Sequence, residues 1–238
     1  MERRPKRERV PSLTRAMIER AFPEPVPDDQ TAMRLMGDEA IADWLERTLA
    51  SGPGVQEQQL WLFAYGSLMW RPELDFAEAR LAIVRGWHRR FCLWQWRYRG
   101  SRERPGLMLA LDRGGACRGM AYRVVGLGLR EKIAGVWRRE MIGDGYRPRW
   151  VTAVTPQERV AAVTFVANRQ GERYAGALPD EEIARFIAGA CGHAGPSAEY
   201  LLETVCRCEE LGIHDPGLWR LQELVARRLL AAGGSVAA

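Results

Sequence analysis

Glu140 is the residue of this sequence whose type and surroundings best suit acid–base chemistry. It lies near the end of a helical pattern, with Trp137 one turn earlier and Met141 directly after it. Apolar surroundings raise the pKa of a carboxyl group towards the range in which it can exchange a proton at neutral pH. Arg138 and Arg139 would oppose that shift if they reached the carboxyl, but immediate neighbours on a helix point elsewhere. We therefore expect burial to dominate; the alternative is an ordinary helix-end glutamate paired with one of these arginines.

The second candidate is the turn formed by Tyr65, Gly66, Ser67 and Leu68, which follows an apolar run of strand-forming residues. Glycine has no Cβ, so the backbone at Gly66 can turn or approach a ligand closely. Successive N–H groups in such a turn can form a concave site for an anion or for a developing oxyanion. By itself, this stretch is more typical of a core strand that ends in a turn.

Other kinds of catalytic site are not indicated. Ser67 does not lie in a Gly-x-Ser-x-Gly motif, and nothing in the sequence places one of the three histidines beside it. No HExxH motif, glycine-rich phosphate loop or dinucleotide fingerprint is present, and the five cysteines lack CxxC spacing. Glu131 lies roughly on the opposite helix face from Glu140, which makes it a weaker candidate for the acid. The sequence therefore predicts neither a serine hydrolase nor a metal site.

The elements that must position these residues follow the pattern of an α+β domain. Mostly consecutive strands with one inserted helix, then helices at the end, favour a largely antiparallel sheet that is closed or half-closed. Ser197 is a possible N-cap. Residues 1–58 are polar and interrupted, so we expect an extension that packs on a domain spanning residues 59–238. Strands are predicted over 60–65, 79–87, 88–96, 107–111, 117–124, 149–154 and 160–166, and helices over 13–22, 28–49, 127–141, 181–191, 197–211 and 217–232.

Composition and charge are those of an ordinary soluble chain, with 47% apolar residues and a formal net charge of +5. No apolar run approaches the roughly 18 residues needed to cross a membrane, and the N-terminus does not resemble a secretory signal. The basic first ten residues predict a solvated tail, because no recognition motif or interleaved aromatic residues accompany them. Seven arginines over residues 85–104 favour an acidic small substrate or a salt-bridged face. We expect no nucleic-acid or membrane partner, and the odd set of cysteines favours a reducing cytoplasm.

Several stretches, taken together and in order over about residues 60–230, resemble the ChaC-like family of glutathione-specific γ-glutamylcyclotransferases. The combination is specific, whereas the Tyr-Gly-Ser-Leu turn alone is not. The matching stretches are residues 63–70, 86–92, 99–101, 104–106, 119–123 and 137–141, followed by Tyr146, Trp150 and residues 195–201.

The resemblance implies a mixed α/β fold around a small β-barrel, with helices at the C-terminus. It also implies cleavage of glutathione into 5-oxoproline and cysteinylglycine, without a metal or an organic cofactor. The turn from Tyr65 to Leu68 would hold the γ-glutamyl group, and Glu140 falls where the family has its acid–base carboxylate. Arg99 could bind a substrate carboxylate through a two-pronged contact. Tyr146 and Tyr200 could hydrogen-bond the substrate or Glu140, and buried aromatic packing is an equal explanation for both.

This sequence also departs from the family pattern. Residues 94–98 are bulkier and more basic than the usual small, polar stretch before Arg99, which bears on how the glycine end of glutathione is held. Ala64 stands where many members have Gly, and Ser197 replaces a common Asn. Two alternatives therefore stay open: a cyclotransferase for other γ-glutamyl amino acids or amines, and a non-catalytic module that binds γ-glutamyl compounds.

Overall fold

The chain folds around a closed five-stranded β-barrel. The computed structural model describes residues 12–234 except 25, 30, 32 and 54–57, so the basic first ten residues lie outside it. The strand order is β1-β3-β2-β4-β5, and the parallel contact of β5 with β1 completes the barrel. All other neighbours in that order are antiparallel, so the predicted α+β fold with a small, largely antiparallel barrel is confirmed. The strands are β1 (Gln59–Ala64), β2 (Glu78–Gln95), β3 (Gly106–Val125), β4 (Tyr146–Val154) and β5 (Arg159–Ala167).

The strands β2 and β3 are each continuous, whereas the sequence predicted two shorter strands in each place. That prediction was wrong because its glycines mark irregularities within a strand rather than its end. Gly86 has a φ of +81°, and the register of β2 against β3 shifts between Arg85 and Trp87. Gly114 and Gly115, also with positive φ, lie inside β3. The long hairpin therefore bends at these points and wraps around the barrel.

Six α-helices among the described residues pack around the barrel, and the sequence predicted most of their bounds to within a few residues. The exceptions are α2, which begins at Asp38 instead of 28, and the predicted cap at Ser197. Pro196 is the N-cap residue there, and the Ser197 hydroxyl instead donates to the carbonyl of Leu107, 3.4 Å away. The helices are α1 (Arg15–Ala21), α2 (Asp38–Ala50), α3 (Leu129–Met141), α4 (Asp180–Gly189), α5 (Ser197–Glu210) and α6 (Pro216–Gly234).

The described part of the first 58 residues shares the hydrophobic core of the barrel domain. Leu13 and Leu45 are buried in that core. The backbone N–H of Leu13 donates to the side-chain oxygen of Gln222 at 2.8 Å, and the Trp150 indole donates to the carbonyl of Thr48 at 2.9 Å. No helix among the described residues is long and apolar enough to cross a membrane.

Candidate active site

The loop after β1 brings the backbone close to α5. The chain leaves β1 at Ala64, passes Tyr65 and Gly66, and enters a short 3₁₀ helix, Ser67–Met69. A Cβ at Gly66 would lie 2.9 Å from the hydroxyl oxygen of Tyr200, so a larger residue cannot fit there without moving the tyrosine. Gly66 therefore permits a close approach between this loop and the ring of Tyr200.

This loop forms one side of a small, partly open cavity of about 20 Å³. Tyr65, Gly66, Ser67 and Leu68 line it from one side, and Glu140, at the end of α3, lines it from another. The remaining lining residues are Leu109 on β3, Tyr146 on β4, Phe165 on β5 and Tyr200 on α5. The barrel thus brings together six of the seven site residues predicted from the sequence, and Arg99 is the exception.

Glu140 is a nearly buried acid. Its side chain is 12% exposed, and burial raises the pKa of its carboxyl to about 7, against an ordinary value of 4.5. Trp137, one turn earlier, is fully buried and packs edge-on against Phe165, with ring centroids 5.0 Å apart. This packing fixes the last turns of α3 against the barrel. A carboxyl with a pKa near 7 can both accept and donate a proton at neutral pH.

Arg139 contacts both the acid and the loop, which the sequence analysis did not foresee. Its Nε lies 3.4 Å from a carboxylate oxygen of Glu140, and its Nη2 donates to the hydroxyl of Ser67 at 2.7 Å. The expectation that neighbouring arginines point away was therefore wrong for Arg139, although Arg138 does turn outward to Asp38. The pKa of Glu140 is nevertheless raised, so burial outweighs the opposing charge of Arg139. The sequence held no signal for this contact, since it depends on where the loop after β1 lies.

Three tyrosines surround the acid, and two of them hydrogen-bond to the barrel backbone. Tyr65 donates to the carbonyl of Phe165 and Tyr146 to the carbonyl of Leu109, each at 2.7 Å. Burial, followed by neighbouring acidic groups that include Glu140, raises the pKa of both phenols, so they stay neutral. Burial also raises the pKa of Tyr200, although the Ser67 backbone hydrogen-bonds to its hydroxyl. The sequence indicated Tyr200 only as a packing residue or as a hydrogen-bond partner of the substrate or Glu140. In the structure it lies directly over the loop.

Arg99 lies outside the cavity wall. Its Nη1 donates to a carboxylate oxygen of Glu199 at 2.7 Å and to the carbonyl of Pro196 at 2.8 Å. Its charge also acts on Tyr200, which lines the cavity. Within the described part of the chain its Nη2 and Nε have no hydrogen-bond partner, so the outer half of the guanidinium can still receive a carboxylate.

No group of three or more histidine, cysteine, aspartate or glutamate residues among those described could hold a metal ion. The acid, the loop, the tyrosines and Arg139 are the chemical groups that the described residues bring to this site. A single proton-exchanging carboxyl facing a backbone turn can serve acyl transfer in which the substrate carries its own nucleophile.

A family model described as "ChaC-like protein" matches residues 60–228. The chain belongs to this ChaC-like family. The match begins in β1 and ends within α6, so it contains every residue of the cavity.

The relatives of this ChaC-like chain carry consistent names. A protein of Escherichia coli (strain K12), named glutathione-specific gamma-glutamylcyclotransferase, is 38% identical over 185 residues, which are 77% of this chain and 79% of the relative. A protein of Mus musculus, named glutathione-specific gamma-glutamylcyclotransferase 1, is 38% identical over 150 residues, 61% of this chain and 67% of the relative. The crystal structure of a yeast glutathione-specific γ-glutamyl cyclotransferase matches with a TM-score of 0.64 at 19% identity, covering 71% of this chain and 96% of the other. That structural match supports the fold.

Proposed function

We propose that this ChaC-like protein cleaves glutathione into 5-oxoproline and cysteinylglycine. The observation that carries the proposal is one nearly buried carboxyl, with a pKa of about 7, in the same cavity as the Tyr65–Leu68 loop. The names of the relatives at 38% identity support glutathione as the substrate. Of the two alternatives, another γ-glutamyl substrate rests on the departure at residues 94–98 alone, and the names of the relatives support neither it nor a binding module.

The reaction requires no nucleophile from the protein. The α-amine of the γ-glutamyl group attacks its own γ-carbonyl carbon, which forms the ring C–N bond, and the amide bond to the cysteinyl nitrogen then breaks. A site that holds the substrate folded onto itself supplies a large effective concentration of the amine. Glu140 takes a proton from the attacking ammonium or amine and gives a proton to the departing cysteinyl nitrogen.

The tetrahedral intermediate carries an oxyanion that the loop can stabilise. The backbone N–H groups of Gly66 and Leu68 donate no hydrogen bond to another described residue, whereas that of Ser67 contacts the hydroxyl of Tyr200. One such donor is worth roughly 3 kcal/mol of transition-state stabilisation in comparable sites. Arg139 fixes the position of the loop relative to the acid through its contacts with Ser67 and Glu140.

The decisive experiment is the release of 5-oxoproline by Glu140→Gln, measured by mass spectrometry with glutathione as substrate. We expect turnover to fall by at least about 100-fold, because glutamine cannot exchange the proton. Glu131→Gln is the matched control, since Glu131 lies exposed on the same helix, and it should keep wild-type turnover. Release of 5-oxoproline by Glu140→Gln at the wild-type rate would show that another group moves the proton.

Arg99 is proposed to bind a substrate carboxylate through the part of its guanidinium that Glu199 leaves open. We expect Arg99→Ala to raise KM for glutathione with a smaller effect on kcat, because the contact persists from ground state to transition state. The same measurement with γ-glutamylcysteine, which lacks the glycine carboxylate, shows which substrate carboxylate Arg99 contacts. If Arg99 binds the glycine end, the rise in KM disappears with this shorter substrate. An unchanged KM for glutathione would remove Arg99 from the site.

A panel of γ-glutamyl compounds tests the two alternatives with the same assay. A ChaC-like enzyme specific for glutathione should form 5-oxoproline from glutathione and much less from γ-glutamyl amino acids or amines. Binding without 5-oxoproline from any compound would identify a binding module. We further propose that the reaction needs no metal, so turnover should survive treatment with EDTA, and that the protein works in the reducing cytoplasm, consistent with its five free thiols.

A further inference from the structure

A second concave site lies on the outer side of the barrel, where β2 and β4 separate. The two strands pair only at Ile83 with Val154 and at Val84 with Ala153. Immediately beyond, the irregularity at Gly86 turns β2 away, and a cleft of about 740 Å³ opens between the β2–β3 hairpin and the strands β4 and β5. A cleft of this size falls in the range of small-molecule binding sites.

The cleft is strongly cationic. Arg113 from β3, Arg147 and Arg149 from β4, and Arg169 after β5 line it, and no described aspartate or glutamate does. Arg147 pairs with Asp144 and Arg169 with the buried Asp112, both outside the lining. Arg113 and Arg149 are exposed and form no ion pair with any residue that the structure describes. Guanidinium groups concentrated in one concavity favour an anion with several phosphate-type oxygens.

Trp87 adds an aromatic surface at the same place. It lies opposite Arg113 in the β2–β3 register and lines both this cleft and an adjoining one of about 400 Å³, to which Arg85 and Arg159 also contribute. The Trp87 ring makes no ring-stacking or cation–π contact with another described residue, whereas the Trp44 ring is covered by Arg147 at 5.2 Å. An indole that is half-buried and unstacked beside arginines suits a planar heteroaromatic group.

We infer that this cleft binds a nucleoside polyphosphate, with its phosphates on Arg113 and Arg149 and its base on Trp87. The sequence did not indicate such a site, because Trp87, Arg113 and Arg149 lie on three different strands and meet only in the folded barrel. The concave shape and the volume favour a free nucleotide over an extended chain of nucleic acid. The inference is independent of the proposed function, since no residue of the cleft lines the catalytic cavity.

Calorimetric titration of the full-length protein tests the inference, first without divalent cations. ATP and GTP should bind with a Kd below about 1 mM, and inorganic tripolyphosphate should bind at least tenfold more weakly, since it lacks a base. The double variant Arg113→Glu with Arg149→Glu should weaken ATP binding by about 30-fold or more, because two charge-assisted contacts are lost. The double variant Arg185→Glu with Arg227→Glu changes net charge equally on the exposed faces of α4 and α6 and should bind ATP as the wild type does.

Several outcomes would overturn the inference. These are no saturable binding of ATP, equal affinity for ATP and tripolyphosphate, equal losses in the two double variants, or tighter binding of a single-stranded oligonucleotide than of ATP. Trp87→Leu should reduce the affinity for ATP to that for tripolyphosphate; if this variant does not fold, the comparison of the two ligands on the wild type decides. Circular dichroism and release of 5-oxoproline show whether each variant remains folded, and neither signal depends on the cleft.

Discussion

Burying Glu140 destabilises the fold above neutral pH, and the size of that effect can be worked out from the site. The carboxyl has a pKa of about 7 in the folded protein against 4.5 ordinarily. The folded state therefore holds this proton more tightly than the unfolded state does, so the contribution of Glu140 to stability is greatest below pH 4.5 and is lost as pH rises through the interval to about 7. A shift of about 2.5 units corresponds to a loss of about 3 kcal/mol once both states are ionised.

Glu140→Gln removes this loss because glutamine has nearly the same shape and carries no charge. At pH 8 we expect the variant to be more stable than the wild type by up to about 3 kcal/mol. At pH 4.5 the wild-type carboxyl is already protonated in the fold, so the two proteins should differ by well under about 1 kcal/mol. The same substitution is thus expected to abolish turnover while it strengthens the fold.

Urea unfolding of both proteins at the two pH values measures the difference in free energy. Glu131→Gln, which changes an exposed glutamate of the same helix, should show no gain at pH 8 comparable to that of Glu140→Gln. The reasoning fails if Glu140→Gln is no more stable than the wild type at pH 8, or if its advantage is the same at both pH values. Either result would mean that the carboxyl is solvated in the folded protein.

Two further predictions follow from the contacts of the site and of the core. Arg139→Gln removes the positive charge 3.4 Å from Glu140, so the pKa of the acid should rise by about 1 unit from its value near 7. The ascending limb of the kcat–pH profile should then move to higher pH by the same amount. A limb that does not move would contradict the contact between Arg139 and Glu140. Leu45→Ala, in a buried position of α2, should lower the free energy of unfolding by about 2–5 kcal/mol and leave kcat per folded molecule unchanged; a loss of stability below about 1 kcal/mol would show that the extension packs only loosely.

The acid and the loop were predictable from the sequence because each has a local signature. Glu140 lies in a helical apolar pattern with Trp137, and Gly66 interrupts an apolar strand, so local residue types made both of them candidates; the combination of motifs over residues 60–230 then singled them out. The α+β class was likewise predictable from strand-like runs that precede the terminal helices.

The remainder of the site depends on contacts between distant parts of the chain. Arg139 reaches Ser67 across 72 positions, and Tyr200 meets Gly66 through the packing of α5 on the barrel. The glycines of β2 and β3 could equally mark strand ends, because the residues around a glycine in a bulge resemble those around a glycine in a turn. The engagement of Arg99 by Glu199 was also hidden, since those residues are 100 positions apart.

The buried side chains of α2 and of Leu13 couple the stability of the barrel, and with it of the candidate active site, to a part of the chain that does not line that site. A substitution among them leaves the chemistry of each intact molecule as it was, but increases the fraction of chains that proteases and chaperones encounter unfolded. In a cell, inherited variation in this part of the chain would thus appear as a change in the quantity of the protein and not in its speed. Surveys that measure only the rate per molecule would pass over it.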